Sequence, residues 1–357
     1  MQQIITPKII KMIRTVTRPP SAKCDLPIYV SFLLSEPKNT SCLRLSEVEN
    51  ISHDSVNRFL NRETYAPSDL FDEVKKYITL EGGTLSVDDT VIDKPYANYI
   101  AYIGYFWSGK HHKSVKGLNL ITLFYTDAQG RQQPVNYRIY DKKENKSKND
   151  YFLEMLDEVL AWGLRPSYMT GDSWYSCVRN LKRIKNHQLN FLFAIASNRT
   201  VSLEKGYSLQ VQQLDIPEDG LVVWLKDFGH VKIFRTHLKD QVRHYAMHVA
   251  EGELNHITKG DFENIHAQHW EIEQYHRTIK QVCHIEHFQV RGKVAINNHC
   301  FSALFAFVQL QVMRVTDVIN NCYRLQRDLF NGVISNFIGE YSPKIAHMKP
   351  IFQAVNA

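Results

Sequence analysis

No stretch of this chain approaches the ~18 consecutive apolar residues that a membrane-crossing helix needs. The basic segment from Lys8 to Arg18 has no apolar h-region after it, so it does not read as a secretory signal. None of the six cysteines (Cys24, Cys42, Cys177, Cys283, Cys300 and Cys322) forms a C-x-x-C pair, which argues against a disulfide framework and against a structural zinc finger. Histidines are dense around His256, His266, His269, His276, His284 and His287, which raises a zinc hydrolase as one reading. The H-E-x-x-H spacing that would set two imidazoles and a base on one helix face is missing. What remains is a chain of 357 residues with 44% apolar content, enough for two or three domains with a buried core. Its net charge of +6 suits a polyanionic partner without naming one.

The residue pattern predicts a mixed α/β fold. Thr84 to Asp89 alternates as a half-buried strand, with Asp89 on the face of Leu85 and Val87. Val115 to Tyr125 and Val135 to Tyr140 are β-rich and are joined by a turn at Asp127 to Gly130. Asp150 to Trp162 has helical spacing with Asp150 as a suitable N-cap. A short strand follows at Ser167 to Asp172, then a helix over Trp174 to His187 and a strand at Phe191 to Ala196. Short β-type runs between Val201 and Val249 predict a β-rich insertion, and Asp261 to Val282 returns to helix. Beyond it, Ala295 to Val315 is a strongly apolar helix that Asn321 to Phe330 extends, while the tail after Asn331 is uninformative.

Three acids fall at informative places: Asp89, Asp172 and Glu273. Strand ends in α/β sheets are where polar groups converge, and carboxylates gathered there repel one another unless a hard cation joins them. A pair of Mg²⁺ ions held in that way can drive in-line displacement at phosphorus without a nucleophilic side chain. Taken singly, each acid has a plainer reading: the aspartates as turn formers or helix caps, the glutamate as a solvated helix residue. Around Glu273, positions His266, His269, His276 and Lys280 share one helical stripe, and a lysine there could hold a phosphate.

With these motifs the chain resembles the DDE transposases of bacterial insertion sequences, in the branch with a β-stranded insertion before the glutamate. Asp88-Asp89-Thr90 is similar to the family's first motif and Gly171-Asp172-Ser173 to its second. Glu273 and Lys280 fit a helical signature of Tyr, two residues, Arg, three residues, Glu, six residues, Lys; His266 and His269 stand at its Tyr and Arg positions. The resemblance spans about residues 84 to 312. It implies a ribonuclease H-like core and catalysis by Asp89, Asp172 and Glu273 holding two Mg²⁺ or Mn²⁺ ions. It further implies hydrolysis at the ends of a mobile element and joining of the 3′-hydroxyl to target DNA, by a homodimer on DNA in the bacterial cytoplasm. A silent, purely DNA-binding descendant is the other class of reading.

The expected organisation is a separate helical DNA-binding module over 1–80, a catalytic core over 81–197 and 255–330, a β-rich insertion over 198–254 and a tail over 331–357. Residues 42–60 have the proportions of a helix-turn-helix capped by Ser52 or His53, whose second helix offers Asn57, Arg58, Asn61 and Arg62 to DNA. A helical hairpin packed on the core is the plainer reading. Lys280, His266, His269 and Arg277 are the candidate phosphate contacts beside the glutamate. Trp224 is a candidate for stacking on an extruded base, or else a core residue. Lys110, Lys113 and Lys116, and the run Lys142, Lys143, Lys146 and Lys148, are either solvated loops or DNA contacts.

Overall fold

A computed structural model describes residues 22–346 except 39, 205, 239, 240 and 250–253. The basic segment from Lys8 to Arg18 and the last part of the tail, 347–357, lie outside the described residues.

The acids are positioned by a central group of strands. β1 (Thr84–Asp93) runs antiparallel to β3 (Lys113–Thr126), and β3 runs antiparallel to β4 (Gln132–Ile139). The β3–β4 turn closes as its sequence predicts, because the Asp127 carboxylate accepts the amides of Gln129 and Arg131, each at 2.9 Å. β5 (Tyr168–Gly171) lies parallel to β1 on the other side, and β6 (Asn190–Ile195) parallel to β5. The order β4-β3-β1-β5-β6, with the first two antiparallel steps followed by parallel ones, is the ribonuclease H-like arrangement. Crossover helices α5 (Lys148–Ala161) and α6 (Val178–Asn186) supply the connections that parallel strands require.

Three local expectations are corrected. α5 begins at Lys148 with Ser147 as its cap; Asp150 is the third residue inward and returns the bond, accepting the Ser147 amide at 2.8 Å. α6 starts four residues later than its apolar spacing suggested, because Asp172 draws the amides of Trp174 and Tyr175 into a turn first. β2 (Gly104–Ser108), which pairs with the N-terminal end of β3, was not expected at all.

The segment 198–254 is β-rich as expected, yet it joins the central sheet. β7 (Thr200–Glu204), β8 (Tyr207–Gln210), β9 (Leu221–Leu225) and β10 (Gly229–Leu238) are carried by β11 (Gln241–His248), which pairs antiparallel with β6. Among the described residues this makes one sheet of eleven strands, ordered β2-β3-β1-β5-β6-β11-β10-β9-β7-β8 with β4 also on β3.

α7 (Lys259–Gln281) is capped by Thr258 and lies across β1, β3, β5 and β6. Against it runs α8 (Lys293–Val315), buried around nearly its whole circumference, which explains its unbroken apolar character. α9 (Arg324–Ala346) continues well past Phe330. The helices α1 (Leu26–Ser35), α2 (Cys42–Glu49), α3 (His53–Arg62) and α4 (Pro67–Val74) do not form a core of their own: their buried residues belong to the same hydrophobic cluster as the sheet. Asn298 of α8 donates to the Leu60 carbonyl at 2.7 Å, and the Tyr29 hydroxyl meets His299 Nδ1 at 2.8 Å.

Tyr275 of α7 is fully buried, stacked on Phe124 of β3 at 4.9 Å and edge-on to Phe307 of α8 at 4.9 Å. Its hydroxyl reaches Thr122 only at 3.5 Å, so the ring carries the packing. Tyr275→Ala is expected to lower unfolding free energy by about 3–5 kcal/mol, whereas Tyr275→Phe costs less than about 1 kcal/mol. Urea titration of both variants measures the difference.

Candidate active site

Alternation along β1 decides which acid faces α7. Ser86 Oγ contacts Thr170 Oγ1 of β5 at 2.7 Å, and Thr170 Oγ1 contacts His269 Nδ1 of α7 at 3.0 Å. Ser86 therefore lies on the α7 face, and two residues on, so does Asp88. Its register partner Thr122 confirms the side by approaching Tyr275 of α7. Asp89 points the other way. It accepts Lys148 Nζ at 2.7 Å, the Tyr175 hydroxyl at 2.9 Å and Asn119 Nδ2 at 2.5 Å, all on the α5–α6 side of the sheet.

Asp172 follows β5 directly, and its carboxylate accepts the amides of Trp174 and Tyr175 while the charge of Asp88 reaches it. Burial is the first cause that pushes Asp172 well above the usual carboxylate range, and the charge of Asp88 is the second, ahead of Asp89. Asp88 is raised likewise, by burial first and then by Asp89. Glu273 is also raised, by partial enclosure and then by Asp88, although its side chain still reaches solvent at the lip of the site. The structure thus brings Asp172 and Glu273 into electrostatic reach of Asp88. Of the three acids expected, Asp89 has its carboxylate bound by Lys148 and Tyr175 on the α5–α6 side, while its charge still acts on Asp88 and Asp172.

The stripe beside Glu273 is less open than its sequence suggested. His266 contacts the Tyr245 hydroxyl at 3.0 Å and stacks on Phe262, while His269 is engaged with Thr170. Burial lowers His266 and holds His269 down at about 4, so at neutral pH both are uncharged and turned inward. Lys280 donates to the Val91 carbonyl at 2.6 Å and pairs with Glu286 at 3.2 Å, tying α7 to the end of β1. Arg277 is exposed.

Two neighbours were not singled out by sequence. His276 Nδ1 stands 3.4 Å from Asp88 Oδ2; burial lowers it to about 4, so this is a neutral imidazole beside a carboxyl group rather than an ion pair. Arg243 of β11 is exposed, and its charge acts on both Glu273 and His266. His276 shares the Glu273 stripe and was visible as such; Arg243 carries no sequence signal.

The remote candidates divide. Trp224 on β9 is 47% exposed with an edge contact to His230, so it is not a core residue. On α3, capped by Ser52, Arg58 and Asn61 are exposed, Asn57 is half-buried against His53, and Arg62 is folded onto Glu63.

Three carboxylates raised by burial and by neighbouring carboxylate charge are of the donor chemistry that a hard dication relieves. Their spacing is looser than a chelating set: among the described residues no three His, Cys, Asp or Glu side chains are gathered closely enough to hold an ion. Clefts of about 500 Å³ beside Gly83, Thr126 and Gln268, and of about 1060 Å³ between α5 and α6, contain none of the three acids. Among the described residues no helix is long and apolar enough to cross a membrane.

A family model described as "Transposase DDE domain" matches residues 80–308. No curated protein matches the chain. Among solved structures, a piggyBac transposase synaptic complex with hairpin DNA is 13% identical with a TM-score of 0.47, covering 94% of this chain and 77% of that one. A Drosophila P element transposase strand transfer complex is 11% identical with a TM-score of 0.27, covering 47% and 37%. The NurA nuclease of Sulfolobus solfataricus is 10% identical with a TM-score of 0.24, covering 83% and 96%. Likeness at these levels is weak.

Because Asp88 and Asp172 bind protons more tightly in the folded chain than in the unfolded one, their own contribution to stability is greatest below the unfolded value of about 4 and is lost as pH rises through the raised folded values. The buried histidines, lowered by burial, act in the opposite sense. Urea unfolding of wild type and Asp88→Asn across that range, without divalent ions, is expected to show Asp88→Asn gaining stability relative to wild type as pH rises from about 4 to neutral. Asp89→Asn is expected to lose about 2–3 kcal/mol at neutral pH by stranding the largely buried Lys148 ammonium.

Proposed function

The chain belongs to the transposase DDE-domain family, and on that premise we propose that it cuts DNA at the ends of an insertion sequence and joins the freed 3′-hydroxyls to target DNA. What supports this reading is the placement of Asp88 on β1, Asp172 just after the parallel strand β5 and Glu273 on α7, with the charge of Asp88 acting on both of the others. In this reading Asp88 takes the role that the sequence motif assigned to Asp89.

In this reading the three carboxylates hold two Mg²⁺ or Mn²⁺ ions. Bound there, such ions supply Lewis acidity to the scissile phosphate and make a water or a 3′-hydroxyl nucleophilic near neutral pH. His276, neutral and close to Asp88, orients that carboxylate; the packed side of α7 excludes water from behind the acids. Lys280 fixes the end of β1 to α7, and the phosphates are met by the exposed Arg277 and Arg243 rather than by His266 and His269. Asp89 acts at one remove, with Lys148 and Tyr175 fastening β1 to the α5–α6 side and Asn119 of β3 bracing it within the sheet. Arg58 and Asn61 on α3 suit the terminal inverted repeat, Trp224 an extruded base, and synapsis of two ends requires a homodimer on DNA.

Strand cleavage of candidate end DNA in Mg²⁺ tests the assignment. Asp88→Asn, Asp172→Asn and Glu273→Gln are each expected to slow cleavage by about 10³-fold, the equivalent of several kcal/mol of metal-assisted stabilisation. Asp89→Asn, once confirmed folded, is expected to stay within about tenfold of wild type, since it removes no ligand. Cutting by Asp88→Asn at the wild-type rate would return the role to Asp89. DNA binding without metal-stimulated nicking by the wild type would favour a silent, DNA-binding descendant.

A further inference from the structure

β2 and the N-terminal half of β3 form a two-stranded ribbon that projects from the end of β1. One face of β2 turns Phe106 and Ser108 inward; the other presents Tyr105 and Trp107, which are 65% and 66% exposed. Two further rings on the connection from β1, Tyr96 and Tyr99, are 94% and 86% exposed. Such rings in water need a reason.

Charge supplies one. From Lys94 to Thr126 the sequence contains no aspartate or glutamate, while Lys94, Lys110, Lys113 and Lys116 contribute positive charge. Lys94 is committed to the carbonyls of Glu286 and Phe288, and Lys116 to Asn98. Lys110 and Lys113 stand exposed at the tip beside His111 and His112. Tyr105 is the cross-strand partner of Lys116, and Trp107 that of Ser114, so rings and cations share the ribbon.

We propose that this ribbon is a stacking platform for unpaired DNA at the end of the sheet that carries the acids. The proposal rests on the reading above and names the form of DNA that this part of the chain takes. Ser114 precedes Thr122, the partner of Asp88, by eight residues along β3, which sets Trp107 about 26 Å from the acids at about 3.3 Å per residue. That is the length of roughly eight base pairs. Exposed rings recognise unpaired bases because every base offers a π face, whereas bases within a duplex are already stacked. A second copy of the chain is disfavoured as occupant, since it would bring like charge against like.

Fluorescence anisotropy with the full chain and short oligothymidylate, in parallel with a mixed-sequence duplex, tests the idea. Tyr105→Ala with Trp107→Ala is expected to weaken oligothymidylate binding by about tenfold or more for each ring, and Trp107→Phe to restore much of it. Lys110→Gln with Lys113→Gln is expected to reduce the salt slope by about 1.4, two phosphates at about 0.7 each for a single strand. Binding is read without divalent ions, so the platform is scored independently of cleavage. Unchanged affinity in the ring variants would overturn the proposal, as would binding of duplex alone or sedimentation showing that the rings hold a dimer together. Circular dichroism checks that the variants are folded, as the exposure of both rings leads one to expect.

Discussion

Tyr275 sits between Phe124 of the sheet and Phe307 of α8 with no exposed surface to spare, and that contact sets the rotation of α7 about its own axis. Ile272 and Ile279 are buried on the same side, a helical turn to either side of it. Once those side chains are seated, Glu273 and His276 have only one direction in which to project: over the ends of β1 and β5. Lys280 adds a second fastening, from the far turn of α7 to the Val91 carbonyl. The placement of the glutamate is thus an outcome of aromatic packing several ångströms away from it.

The two aspartates of the doublet separate work that a single residue could not do. Asp88 stands among acids, where burial and like charge hold it above its ordinary range, a cost the fold tolerates within one face. Asp89 stands among donors and binds β1 to the opposite layer through Lys148 and Tyr175, and to the neighbouring strand through Asn119. One peptide unit lies between a position that stores repulsion and one that supplies cohesion.

The strand order of the core was legible because each run announced itself by alternation and was closed by a strong turn such as Asp127 to Gly130. The places of Asp172 just after a strand and of Glu273 on a long helix were legible. The choice within Asp88-Asp89 was not. β1 is covered on both faces, so Leu85 and Val87 do not mark the side on which the acids gather; Ser86, through Thr170, does. β2 escaped notice because two of its three aromatic residues, Tyr105 and Trp107, face outward, against the usual pattern. The N-terminal helices were expected to stand alone, but their polar outer faces say nothing about what Tyr29, Val56 and Phe59 pack upon. Partners such as Asn298 and His299 are more than two hundred residues away.

The strands between residues 198 and 254 are stitched to β6 through β11, and this has a consequence for how the molecule could be shortened. Deleting that segment would not remove an appendage. It would strip one side of β6 of its backbone partners and turn an interior strand holding Phe191 and Phe193 into a raw border, open to pairing with any neighbouring chain. A minimal version of this protein would have to bring a replacement for β11 with it.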